Sequence, residues 1–185
     1  FVDRALYLPK AWSDDPARAA AAHVPPGTTF ATKPSLALAM IGRAIAAGVP
    51  FAWVAGDSVY GVGEIETGLR RAGKGYVLGV NATHPFTSWI GKPGVAGTAE
   101  EIARGLGDTA WRRLSAGEGT KGPRLYDWAY LELADLDASE YDDRRAGPWT
   151  RGLLIRRSLT DGELAFFATW CPAGTGIETL VGVEG

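Results

Sequence analysis

The middle of the chain reads Phe51-Ala52-Trp53-Val54-Ala55-Gly56-Asp57-Ser58-Val59-Tyr60-Gly61. Its first five residues are apolar, and a single carboxylate and a glycine-bounded turn follow them. A strand that is apolar at every position is normally covered on both faces, as in the middle of an α/β sheet. Ligands gather where such strands end, so Asp57 is the first candidate for chemistry. Asp57 also suits a plain strand-to-helix turn, and one aspartate supplies too few ligands to hold a metal by itself.

The segments around this strand alternate between helix and strand patterns. The order is helix 15–22, helix 34–47, strand 51–56, helix 62–72 and strand 76–80. Such alternation is typical of an α/β fold. Residues 2–8 alternate loosely and predict a further strand, and Ser13 or Asp14 is the expected cap of the first helix.

The character of the chain changes after residue 81. A stretch rich in glycine and proline leads to a short helix, where Thr98 and Glu101 have the spacing of a capping box. The remaining strand patterns are 111–114, 126–131, 153–158 and 164–170. The last two predict a hairpin through Asp161-Gly162, so an antiparallel insertion is expected here. Residues 135–145 are dense in charge and predict an exposed, solvated loop.

Composition narrows the possible functions. Lys and Arg total 19 against 21 Asp and Glu, which gives a net charge of −2, so any contact with DNA must be local. One cysteine and two histidines exclude an internal disulfide and make a zinc site improbable. No stretch approaches the roughly 20 apolar residues of a membrane span, so we expect a cytoplasmic protein without a membrane partner. Because the sequence begins at Phe1 rather than Met, we expect a piece of a longer protein.

A second conspicuous stretch, residues 115–124, combines glycines with Lys121 and Arg124 and follows Arg112 and Arg113. It is not a P-loop, because Lys121 is followed by glycine. The four bases, with aromatic residues nearby, are candidates for contact with a DNA backbone. A hairpin loop beside core aromatics is the structural alternative. The Gly-x-Ser-x-Gly elbow of serine hydrolases is absent from the sequence.

Four separated stretches together resemble one family, the DDE transposases of bacterial insertion sequences of type 701, which are relatives of the type 4 group. The stretches are 3–15, 30–34, 48–61 and 114–129. The resemblance implies a ribonuclease-H-like α/β core that is interrupted by a β-rich insertion and incomplete at both ends. Residues 1–82 are then part of the catalytic core, 83–175 are the insertion, and 176–185 return to the core.

In the family that the chain resembles, three carboxylates bind two divalent metal ions, Mg²⁺ or Mn²⁺, for DNA strand cleavage and transfer. Asp57 matches the second acid. The first is expected upstream of Phe1 and the third after Gly185, because neither Glu178 nor Glu184 falls in the family motif. The resemblance therefore implies an internal fragment without cleavage activity of its own. Its implied partners are terminal inverted repeats, target DNA and, in a homodimer, a second copy of the parent protein.

Two other functions remain open at this point. The chain is alternatively a non-enzymatic transposase remnant or DNA-binding module that has kept the fold and lost the chemistry. More remotely, it is an unrelated α/β hydrolase or binding protein. The strand order of the sheet and the effect of metal ions on DNA binding discriminate among these alternatives.

Overall fold

The computed structural model describes residues 2–88, 94–120, 122–133 and 149–185. Lys121 and the loop predicted over 135–145 lie outside these ranges. The chain forms two compact units, residues 1–50 and residues 51–185. Within the described ranges, no helix combines the length and the apolar character that crossing a bilayer requires.

The first unit contains three helices, which are α1 (Lys10–Ser13), α2 (Pro16–Ala21) and α3 (Lys33–Ala46). The cap of α2 is Asp15, whose Oδ1 accepts a hydrogen bond from the backbone N–H of Arg18 at 3.0 Å. The expectation of Ser13 or Asp14 at this place was wrong. Pro16 decides the position, because proline is favoured at the first helical residue and the cap precedes it.

The helix predicted over 34–47 is confirmed as α3. Its cap is Thr32, whose hydroxyl accepts a hydrogen bond from the backbone N–H of Ser35 at 3.2 Å. The prediction of a strand over residues 2–8 is wrong, because these residues have no regular structure. A strand needs a neighbour to satisfy its backbone groups, and no described segment pairs with this one.

Within the described ranges, the second unit contains eight strands, three helices and a short 3₁₀ turn at Asp108–Ala110. In chain order they are β1 (Trp53–Gly56), α4 (Gly63–Arg71), β2 (Gly75–Val80), β3 (Pro85–Ser88), β4 (Val95–Thr98), α5 (Ala99–Arg104), β5 (Arg112–Gly119), β6 (Gly122–Glu132), β7 (Trp149–Arg157), β8 (Leu164–Pro172) and α6 (Ile177–Glu184). Six strands form one sheet in the order β1-β2-β8-β7-β6-β5, and β3 pairs with β4 separately. Strands β1 and β2 are parallel, and the other pairs are antiparallel. The expected fold class, an α/β fold consistent with a ribonuclease-H-like core, is confirmed.

The strand predicted over 51–56 does not lie in the middle of this sheet. Strand β1 is first in the order and has a described neighbour, β2, on one side alone. Its side chains are partly buried and Ala55 is exposed, whereas every residue of β2 is buried. Strand β2 has strands on both sides and contacts α4 and α6. The continuous apolar pattern therefore describes the environment of β2 and overestimates the burial of β1.

The predicted β pairings are confirmed in the second half of the chain. Strands β7 and β8 form the expected hairpin, with Leu154 opposite Phe167. Strands β5 and β6 extend into the glycine-rich stretch 115–124, which was expected to be a flexible loop. A bulge between Ser115 and Glu118 absorbs the irregularity, so most of this stretch is hydrogen-bonded strand.

Helix α6 covers one face of the sheet and closes its core. The buried residues of this core are Val77, Ala116, Trp128, Leu154, Phe167, Cys171, Ile177, Leu180 and Val181. Strand β2, expected in the catalytic core, and β8, expected in the insertion, are hydrogen-bonded neighbours in this sheet. The boundaries at residues 82 and 175 stay predictions.

Candidate functional site

A cleft of about 710 Å³ lies at the carboxyl ends of β1 and β2. The first residues after these two strands, Asp57 and Asn81, line it. Because β8 runs antiparallel to β2, its beginning meets the same end of the sheet and brings Glu163 to the rim. Helix α6 adds Glu184, and β7 adds Arg156. We refer to this cavity as the Asp57 cleft.

Asp57 is exposed and stands at the start of the turn between β1 and α4. Its Oδ1 accepts a hydrogen bond from the backbone N–H of Val59 at 2.9 Å. Its carbonyl oxygen accepts a second from the N–H of Tyr60 at 3.0 Å. Asp57 thus forms the strand-to-helix turn and also lines the cleft, so both roles considered from the sequence are compatible with its geometry.

Two glycines let the turn that carries Asp57 lie directly on β2. A Cβ atom at Gly79 would lie 2.7 Å from the amide nitrogen of Ser58 and 2.9 Å from the carbonyl carbon of Asp57. A Cβ at Gly61 would overlap the carbonyl oxygen of Gly79. Glycine at both positions allows this close approach of two backbone segments. Sequence reasoning missed Gly79, although a glycine inside an apolar strand is a known signal of such contact.

Arg156 is a second residue of the cleft that sequence reasoning missed. Its Nη1 donates a hydrogen bond to Glu184 Oε1 at 2.6 Å. Its guanidinium carbon lies 4.8 Å from the ring centroid of Tyr126 and 5.7 Å from that of Phe167. The sequence could have indicated Arg156, because it lies near the end of a predicted hairpin strand. The pairing of that strand puts Arg156 at the same edge of the sheet as Glu163.

A family model described as DDE superfamily endonuclease matches residues 1–123, which is more than half of the chain. The chain belongs to the DDE superfamily endonuclease family. The matched residues include β1, Asp57 and β2, which form one side of the cleft. No curated protein matches the sequence. Membership supports the DDE part of the resemblance and excludes an unrelated hydrolase or binding protein, whereas the type 701 group and the fragment status stay predictions.

DDE endonuclease domains act on DNA and generally use divalent metal ions. A cleft with this function needs side chains that can coordinate such an ion. The carboxylate and amide oxygens of Asp57, Asn81 and Glu163 are donors of the type that Mg²⁺ prefers. Among the described residues, however, no group of three or more His, Cys, Asp or Glu is placed to hold a metal ion. The Oε1 atom of Glu184 is also engaged by Arg156. The described residues therefore have suitable donor chemistry but do not by themselves form a complete metal site.

The described bases of the group proposed to contact DNA, Arg112, Arg113 and Arg124, do not all lie on one face of the sheet in this DDE family member. Arg112 and Arg113 are consecutive in β5, so their side chains leave opposite faces of the sheet. Arg112 forms an ion pair with Glu178, and Arg113 donates to Asp127 Oδ1 at 3.0 Å. Both pairs are largely exposed on the arginine side, with 55% and 60% of the side chain accessible.

The other two bases were expected in the same group. Arg124 donates hydrogen bonds to the carbonyl oxygens of Ala116 at 2.5 Å and Gly185 at 3.0 Å. Lys121 lies outside the described residues. Each described arginine of the group thus has a partner within the chain, and its contact with DNA stays a prediction.

Asp127 connects two arginines on the face of the sheet opposite α6. It accepts hydrogen bonds from Arg113 and, at 3.2 Å, from Arg157, whose guanidinium lies 4.1 Å from the ring centroid of Trp111. The hydrogen bond from Arg113 is the main cause that lowers the pKa of the Asp127 carboxyl. Burial is the next-largest cause and opposes it, and the hydrogen bond from Arg157 lowers the pKa further.

The lowered pKa of Asp127 predicts a pH-dependent stability. The folded-state pKa lies below the ordinary unfolded value of about 3.9, so the contribution is fully present above that value. It is lost as the pH falls through the folded-state pKa. We expect Asp127→Asn to lower the urea midpoint at about pH 7 and to have little effect at about pH 2. Arg113→Gln should show the same dependence, and a loss of equal size at both pH values would contradict the prediction.

Proposed function

We propose that the chain is a segment of the catalytic domain of a DNA transposase from the type 701 group of insertion sequences, a relative of the type 4 group. In this proposal Asp57 is one carboxylate ligand for metal-dependent cleavage and transfer of DNA strands at insertion-sequence ends. The observation that carries the proposal is the place of Asp57, which lines the cleft at the carboxyl end of a parallel strand pair. Ligand sites in open α/β sheets are found at such strand ends.

The proposal has definite implications for cofactor, partners and location. The complete protein would use Mg²⁺ or Mn²⁺ and would bind terminal inverted repeats and target DNA as a homodimer in the bacterial cytoplasm. Residues 1–185 contribute one family acid, Asp57, and the motif pattern assigns the other two to neither Glu178 nor Glu184. Because one carboxylate leaves most of a metal's coordination sphere to water, we propose that this segment alone does not cleave DNA.

The first test concerns metal binding. We expect wild-type chain to bind Mn²⁺ weakly, as detected by the loss of the free-ion electron paramagnetic resonance signal, and Asp57→Asn to abolish that binding. Asp108→Asn is the matched control, because Asp108 is an exposed aspartate that does not line the cleft. Its Mn²⁺ binding should equal that of the wild type.

Two results would contradict the proposal. Equal Mn²⁺ binding by wild type and Asp57→Asn would remove Asp57 from the site. Cutting of inverted-repeat DNA by the purified chain with Mg²⁺, abolished by Asp57→Ala, would show that the segment is active alone and would overturn the proposed inactivity.

A second candidate function is a DNA-binding module without catalysis. It is favoured by the absence of a three-residue metal group within the described ranges. For this function we expect salt-dependent DNA binding that changes neither with Mg²⁺ or Mn²⁺ nor with Asp57→Asn.

A further inference from the structure

Arg156 is the one positively charged side chain among the described residues that line the Asp57 cleft. Three aromatic rings surround its guanidinium carbon, with centroids 4.8 Å (Tyr126), 6.0 Å (Trp128) and 5.7 Å (Phe167) away. Cation–π contacts of this kind orient a guanidinium through its flat faces and leave its N–H groups available at the edge. The rings thus hold the positive charge at the cleft independently of any hydrogen-bond acceptor.

Within the cleft, Arg156 donates a hydrogen bond to Glu184, which lies in the last turn of α6. Nη1 lies 2.6 Å from Glu184 Oε1, and the two side chains are 30% and 15% exposed. A guanidinium carries five N–H donors in a planar fork, so one hydrogen bond uses only part of its capacity. Both side chains line the cleft, and the guanidinium retains N–H donors for a second acceptor there.

The other charged residues of the cleft are acidic. Asp57 and Glu163 line it together with Glu184. With the positive charge of Arg156, the net charge of the four charged side chains is −2. A DNA phosphate that approached Asp57 would be repelled by this surface unless a cation compensated. Arginine is the side chain best suited to bind a phosphate through two parallel hydrogen bonds.

We propose that Arg156 contacts a phosphate of the DNA backbone beside Asp57, and that Glu184 is its counter-ion until DNA displaces it. This inference rests on the proposed DNA-directed function. Glu184 then acts as an internal competitor of the phosphate: it keeps the guanidinium paired in the free protein and lowers the affinity for DNA. A purely structural ion pair would affect folding stability and leave DNA binding unchanged.

Fluorescence anisotropy with a short labelled duplex of mixed sequence tests the inference. For Arg156→Gln we expect roughly tenfold weaker binding, because a charge-assisted contact is lost. The slope of log affinity against log salt between ~50 and ~200 mM should become shallower by about 0.9, the value for one phosphate contact. For Glu184→Gln we expect several-fold tighter binding, because the competing carboxylate is gone.

Glu163→Gln is the matched control, since it removes the same charge from the same cleft and the described structure shows no ion pair between Glu163 and Arg156. It should tighten binding less than Glu184→Gln does. Compared with Arg156→Gln, the double variant Arg156→Gln/Glu184→Gln should bind more tightly by no more than Glu163→Gln gains over the wild type, because the remaining effect of Glu184 acts through Arg156. Circular dichroism establishes that each variant is folded, and if Arg156→Gln does not fold, the comparison of Glu184→Gln with Glu163→Gln decides the outcome.

The possible failures are distinguishable. Equal tightening by Glu184→Gln and Glu163→Gln, or an unchanged salt slope in folded Arg156→Gln, would overturn this inference and leave the proposed function standing. A wild-type chain that shows no salt-dependent binding of the duplex would overturn the inference together with the DNA-directed function on which it rests.

Discussion

A Gly61→Ala variant is expected to lose about 3 kcal/mol of unfolding free energy, at the upper end of the usual cost of overpacking. The added methyl group would overlap the carbonyl oxygen of Gly79, which is backbone in the buried strand β2. A flexible side chain could rotate away from such a clash, but a hydrogen-bonded strand cannot. The turn that carries Asp57 must therefore lift from the sheet, and the effect should be visible in stability and at the cleft.

Gly63→Ala is the control for this prediction. Gly63 is two residues further along, at the start of α4, and a Cβ there meets nothing within 4 Å. We expect its unfolding free energy to stay within about 0.5 kcal/mol of wild type or to rise slightly, because alanine favours a helix. Urea unfolding followed by circular dichroism compares the two variants. Equal stability of Gly61→Ala and Gly63→Ala would show that the turn does not rest on β2 as described.

The second large effect is expected for Leu180→Ala, with a loss of about 2–5 kcal/mol. Leu180 is fully buried in the core between α6 and the sheet. Removing its side chain leaves a cavity that neighbouring groups on rigid strands fill incompletely. Because α6 also carries Glu184, weaker docking of the helix should loosen the ion pair with Arg156.

Leu159→Ala is the matched control for the helix. It removes the same atoms from a leucine that is 43% exposed in the β7–β8 turn, so its cost should stay within about 0.5 kcal/mol. Both variants are compared by urea unfolding. A loss in Leu180→Ala no larger than that in Leu159→Ala would mean that α6 is not held by this core.

The sequence predicted the elements whose signals are local. Thr98 and Glu101 form both hydrogen bonds of the expected capping box, and Asp161-Gly162 lies in the turn of the expected hairpin. These signals depend on residues a few positions apart, which contact each other whatever the rest of the fold does. Helices α4 and α5 and the β5–β6 and β7–β8 pairings were therefore accessible without coordinates, whereas the β3–β4 pair and helix α6 were not predicted.

Features that depend on distant segments were not accessible in the same way. The sequence pattern of β1 does not reveal that it has one described neighbour, and the position of Arg156 does not reveal that Glu184 on α6 accepts its hydrogen bond. Proximity in sequence was also misleading for Arg112 and Arg113. They are adjacent in the chain, but alternation along a strand sends them to opposite faces, where each meets a different carboxylate.

The pairing of β2 with β8 has a consequence for how the protein is made. These two strands are neighbours in the sheet although residues 81–163 lie between them in the chain. Synthesis proceeds from the amino terminus, so β1, α4 and β2 leave the ribosome well before the strand that completes their sheet. Closing so long a loop is also slow compared with forming a local hairpin. We therefore expect the cleft that Asp57 lines to be among the last parts of the second unit to assemble, so a half-made chain exposes Asp57 before the cleft exists.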